Sequence, residues 1–240
     1  GNQWFASEIK SRFTKATPTG DSLQFVEVYE EYAKRIYRNR AEAFYKDFKI
    51  IEIKNQLIED YIRMEVFRSN GDFEDFCIAA FQQVENIVNM LVEKEYLKTY
   101  LDQNIMTSAI LYVDKSTGKT FKPEKITTTL GELLFSKGLA TEILPIMEKR
   151  RTDWFFNYKL KAVLYYFYFK TELKYNASVF YLVFNIGNEL YQSRNLNHRG
   201  GTKNDYQEDT IEKVLANKQN YYLIFSGFIG DFVMTINKNL

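Results

Sequence analysis

One cysteine and one histidine occur in 240 residues. An intrachain disulfide is therefore excluded, and so is a tetrahedral thiolate metal site supplied by one chain. The single His also excludes sites needing two imidazoles from the same chain, including the two-histidine helix motif of zinc proteases. No metal and no cofactor are expected. Excess charge of one sign is missing as well. Lys+Arg 32 against Asp+Glu 31 gives a net charge of +1, so only a local basic patch can serve a polyanion. Long hydrophobic runs are absent. The most apolar stretch, residues 163–169, lies between Lys161 and Lys170 and is far too short to span about 30 Å of hydrocarbon. No segment has the layout of a signal peptide. No membrane contact and a cytoplasmic location are the expectation. Gly118-Lys119-Thr120 lacks the upstream glycine of a P-loop. Asn176-Ala177-Ser178 matches the glycosylation sequon, which means nothing without secretion. The chain starts at Gly1 rather than Met, and an upstream sensor domain or a partner protein is expected.

Only 11 Gly and 3 Pro interrupt the chain. So few breakers point to long helices rather than many short strands, an all-α bundle. Aromatic residues reach 17%, with 18 Tyr and 20 Phe, and 45% of residues are hydrophobic. That is ample for a core without staples. From residue 21 to 67, Leu23, Val26, Tyr29, Ala33, Ile36, Phe44, Phe48, Ile58 and Ile62 recur at helical spacing. The run fits one very long helix or two stacked ones. Gly71 is a stop and Asp72 an N-cap candidate for a helix reaching about residue 103. Ser108 to Ile126 alone has strand character and suggests a small hairpin or ordered loop. Thr129 and Glu132 fit a capping box. Asp153 is expected to cap a helix over residues 154–173. A further helix begins at Ala177 or Ser178, and two more close the chain. Phe76, Ala80, Val84, Ile87, Leu164, Phe167, Val183, Phe184, Ile186, Leu223, Ile224 and Val233 are the expected core, and Cys77 falls among them.

The segment most suited to chemistry is Arg194-Asn195-Leu196-Asn197-His198-Arg199-Gly200-Gly201, which holds the only His. On a helix, Arg194 and His198 share a face. Arg clamps phosphate bidentately, and His moves protons near neutral pH. Together they suit phosphodiester cleavage, with a base on the ribose 2′-hydroxyl and a cation on the phosphorus oxygens. The same features also describe a plain helix end, where cations suit the dipole and glycines stop the helix. Two further groups stand out. Glu85 and Asn89 sit one turn apart beside an apolar stripe, as supporting groups or as a solvated helix edge. Lys34, Arg35, Arg38 and Arg40, with Tyr37 between them, form a basic run suited to RNA phosphates and base stacking. The run is flanked by Glu30, Glu31 and Glu42, so a charge-laced solvent face is the other reading.

Arg194-Asn195 followed by His198, after an apolar helix and ahead of the last helices, resembles the motif of the HEPN superfamily. Three residues separate Arg194 and His198, one fewer than that family's usual spacing. The helix from Asp72, carrying Glu85, resembles the early helix of such domains. The resemblance divides the chain into an arm and long helical segment, residues 1–70, and a HEPN-like domain, residues 71–240. It implies a metal-independent endoribonuclease acting on single-stranded RNA. Arg194, Asn195 and His198 would be catalytic, and Glu85, Asn89 and Arg199 supporting. It further implies a homodimer and a setting in prokaryotic antiviral defence, toxin or CRISPR-associated systems. The alternatives are a non-catalytic helical module that binds a protein, and a helical RNA-binding protein.

Overall fold

The computed structural model describes residues 20–117, 120–169, 177–194 and 205–240. Ten α-helices and one β-hairpin lie among them, and the fold class is all-α. Helices α1 (Gly20–Phe44) and α2 (Ile51–Asn70) are separate. No Gly or Pro stands in the turn between them. Tyr45, Phe48 and Ile50 turn the chain instead, because all three side chains bury completely or nearly so. Tertiary packing here overrides helix propensity. Gly71 ends α2 in the left-handed region at φ 80, where glycine has no Cβ penalty.

Helix α3 (Phe73–Glu93) starts after Asp72, which supplies its carbonyl to the Phe76 N–H at 3.0 Å rather than a side-chain cap. The apolar stripe of α3 is buried as its period requires, with Cys77 inside it. The helix does not run on to residue 103. Lys94 takes an extended conformation, and a new helix, α4 (Glu95–Asn104), follows. The change of direction lets Leu97, Leu101 and Ile105 join the core.

Strands β1 (Ser108–Thr117) and β2 (Thr120–Thr129) pair antiparallel, from Ser108 opposite Thr129 to Thr117 opposite Thr120. Backbone bonds close the base of this hairpin. Leu130 N–H donates to the Thr107 carbonyl at 2.9 Å and Gly131 N–H to the Ile105 carbonyl at 2.7 Å. The capping box of α5 (Leu130–Phe135) is complete, with Thr129 and Glu132 exchanging bonds in both directions.

After α5 comes α6 (Ala140–Met147), which holds Pro145 and was not anticipated from the sequence. The expected cap at Asp153 is not formed. Residues Arg151–Asp153 make a 3-10 turn, Asp153 accepts from Arg150, and α7 (Phe156–Leu164) begins after Phe155. Trp154 accounts for the difference. Its indole N–H donates to the Ile146 carbonyl at 3.0 Å, which ties the chain to α6 before a helix can start. Helix α7 passes into a π-helical turn, Tyr165–Phe169. The remaining helices are α8 (Ala177–Ser193), α9 (Asp205–Ala216) and α10 (Lys218–Asn239).

One hydrophobic cluster runs from Ala41 to Ile236 and includes residues on both sides of Gly71. Helix α3 is its axis, packed by α2, α4, α7, α8 and α10. Two expected core residues are corrected: Leu223 is 71% and Ile224 38% exposed. Helix α10 is apolar nearly all round, and the face bearing Tyr221, Tyr222, Phe225, Phe228, Phe232 and Val233 is the one buried. Val183, Phe184 and Ile186, also expected in the core, are only half-buried and pack against its edge. Among the described residues, no helix is long and apolar enough to cross a membrane.

Candidate functional site

Arg194 follows the last residue of α8, and its N–H closes the helix on the Leu190 carbonyl at 3.3 Å. Its guanidinium carbon lies 4.2 Å from the Tyr191 ring centre and 4.8 Å from that of Phe81. Tyr191 in turn stacks on Phe156 at 5.1 Å, and Phe81 meets both rings. Helices α3, α7 and α8 thus each contribute one ring to an aromatic platform, and the cation lies against two of them. Such contacts contribute about 0.5–1 kcal/mol when exposed and more as water is excluded.

Glu85 on α3 completes the setting, with Oε1 3.6 Å from Arg194 Nη1. Both side chains are about one-third exposed, so the pair adds roughly 0–1 kcal/mol and acts mainly in orientation. Burial raises the Glu85 carboxyl above its ordinary value, and Arg194 and Lys159 offset part of that rise.

Asn89, one turn further along α3, serves a different cation. Lys159 is 4% exposed, and its Nζ donates to Asn89 Oδ1 at 3.0 Å and Glu93 Oε1 at 2.6 Å. A buried ammonium is tolerated only with such partners. Glu85 and Asn89, paired in the sequence reading, therefore divide between Arg194 and Lys159. Asn195, His198 and Arg199 lie outside the described residues.

Sequence reasoning missed the polar contacts that set the elements on either side of that segment. Asn157 on α7 donates to Asn188 Oδ1 at 3.0 Å, and Gln192 donates to the same oxygen at 3.5 Å. Gln207 on α9 donates to Gln192 Oε1 at 3.3 Å. Glu189 accepts from Lys213 on α9 at 2.5 Å and from the Tyr221 hydroxyl on α10 at 3.0 Å. The visible signal was Asn188 and Gln192, two amides at i and i+4 on an apolar helix.

Lys34, Arg35, Arg38 and Arg40 are all exposed on α1. Arg38 pairs with Glu59 of α2 at 2.7 Å. Arg40 lies about 200° round the helix from Arg38 and faces Glu65, also on α2, whose carboxyl is raised by burial against the pull of Arg68 and Arg40. The run is thus shared between solvent and the acidic side chains of α2. Among the described residues, no group of three or more His, Cys, Asp or Glu is placed to hold a metal ion. The chain matches no protein-family model, no curated protein and no solved structure.

Proposed function

We propose that this chain is a metal-independent endoribonuclease of HEPN type, with Arg194 as phosphate clamp and His198 as the proton-transfer group. The observation that carries the reading is the setting of Arg194. Its side chain, about one-third exposed, lies against Tyr191 and Phe81 beside Glu85, directly before the segment bearing the only His. His198 takes the proton from a ribose 2′-hydroxyl, and the 2′-oxygen attacks the adjacent phosphorus. The 5′-oxygen leaves and takes up the proton that His198 carries, and the other product ends in a 2′,3′-cyclic phosphate. Arg194 offsets charge on the phosphoryl oxygens. The substrate is single-stranded RNA, the active form a homodimer, and the setting a cytoplasmic antiviral defence system.

The test is cleavage of single-stranded RNA by the chain in the presence of a chelator. Arg194→Ala and His198→Ala should each lower the rate about 10²–10⁴-fold, and DNA, lacking the 2′-hydroxyl, should resist. A well-folded chain that cleaves no RNA overturns the reading. A second reading, a protein-binding helical module without catalysis, is favoured by the exposure of Leu223, Ile224 and Met234 on α10. It predicts no cleavage and a partner lost on Leu223→Asp.

A further inference from the structure

Helix α7 carries two buried lysines with opposite surroundings. Lys159 has a carboxylate and an amide oxygen, whereas Lys161, 7% exposed, has neither. Its Nζ lies 2.6 Å from Ser136 Oγ, and the ring of Phe184 on α8 faces it at 5.0 Å. Among the described residues, neither α5 nor α8 brings a charged group within ion-pair distance of this nitrogen. Burial alone lowers its affinity for a proton. Nζ donates to Ser136 Oγ, but a buried ammonium without a counterion is the expensive state, so Lys161 gives up its proton more readily than an exposed lysine and, once neutral, can accept the Ser136 O–H.

Ser136 is unusual in its own right. It closes α5 with φ 54 and ψ 41, the one non-glycine residue with positive φ among the described residues. Glycine or asparagine normally fills this cap position. Strained backbone of this kind gathers at functional sites. The residue itself is solvent-exposed, whereas the lysine behind it is buried. A serine on an exposed residue whose hydroxyl meets a desolvated amine is the arrangement of a serine nucleophile with a lysine base.

The geometry points to Ser136 and Lys161 as a nucleophile–base pair for acyl transfer from esters or amides, a site separate from Arg194 and independent of the RNA-cleavage reading. Leu139, three residues on and 63% exposed, offers apolar surface to the acyl group. In the reaction Ser136 Oγ bonds to the carbonyl carbon while its proton passes to Lys161 Nζ. The bond to the leaving alcohol or amine breaks, and that group takes the proton from Lys161. Water then repeats the sequence on the acyl-serine, releasing the acid and restoring both side chains.

The experiment treats the whole chain with a fluorophosphonate, which phosphonylates activated serines, and locates the adduct by mass spectrometry. One adduct should form, on Ser136, at a rate that rises with pH about a midpoint below the ordinary lysine range. Lys161→Arg keeps a cation and a donor but no base, and should slow labelling about 10²-fold or more. Ser136→Gly relieves the strained cap, so it should give no adduct without loss of thermal stability. The matching activity is hydrolysis of p-nitrophenyl butyrate, lost in both variants. No adduct on Ser136 of the folded chain, a labelling rate flat between neutral and alkaline pH, or Lys161→Arg labelling as fast as the parent overturns the assignment. RNA plays no part in these readouts, so the failure of either proposal leaves the other standing.

Discussion

Glu85 sits between opposing influences, burial on one side and the cations Arg194 and Lys159 on the other. Burial dominates, so the folded chain holds the Glu85 proton more tightly than the unfolded chain does. A carboxyl raised in this way contributes most stability below the ordinary carboxylate range and loses that contribution as pH rises through its folded value. Glu65, 5% exposed and paired with Arg68 at 2.9 Å, is raised for the same reason. Replacing both by Gln removes two partly desolvated charges and keeps their shape. The Glu65→Gln, Glu85→Gln chain should therefore lose less stability, relative to the parent, at neutral pH than at mildly acidic pH. Urea unfolding at the two pH values measures this. A relative loss that is larger at neutral pH would mean that the ion pairs outweigh burial.

At the scale of the helix, two glycines should respond in opposite directions. A Cβ on Gly187 of α8 would lie 2.7 Å from Leu160 Cδ2 and 3.0 Å from Phe228 Cζ, both in the core, whereas one on Gly227 of α10 would meet nothing within 4 Å. Gly187→Ala overpacks the crossing of α7, α8 and α10 and should destabilise by about 1–3 kcal/mol. Gly227→Ala gains helix propensity on an open face and should stabilise by about 0.8–1.0 kcal/mol. Thermal melts of the two single variants give the signs directly. The same contrast explains what was legible in the sequence. Helix α3 can be placed from its residues because its apolar positions repeat on one face only. Helix α10 is apolar on several faces, so Leu223 and Ile224 look like core while the aromatic face takes their place. The break between α1 and α2 carries no Gly or Pro, only side chains whose burial decides it. Near the candidate site, Glu85 is legible as a neighbour of Arg194. The bond from Lys159 to Asn89 is not, because 70 residues of chain separate the two and only the packing of α7 on α3 joins them.

Across the whole molecule, burial is distributed unevenly. Helix α3 buries twelve residues and is packed on by five other helices. Over residues 31–40 of α1, no side chain is fully buried. Local opening follows burial, so amides of residues 31–40 should exchange with solvent well before those of α3, whose protection should approach that of global unfolding. Hydrogen exchange resolved by peptide checks the order, and α1 protected as strongly as α3 would contradict it. Cys77 lies in this same buried helix, itself fully buried, with its thiol pushed up by desolvation. It is also the only cysteine in the chain. A thiol reagent in excess should therefore stay silent until α3 opens and then add once, without a competing site. Each labelled molecule records a single irreversible event, so the decay of unlabelled mass is a clock for how long the core stays shut.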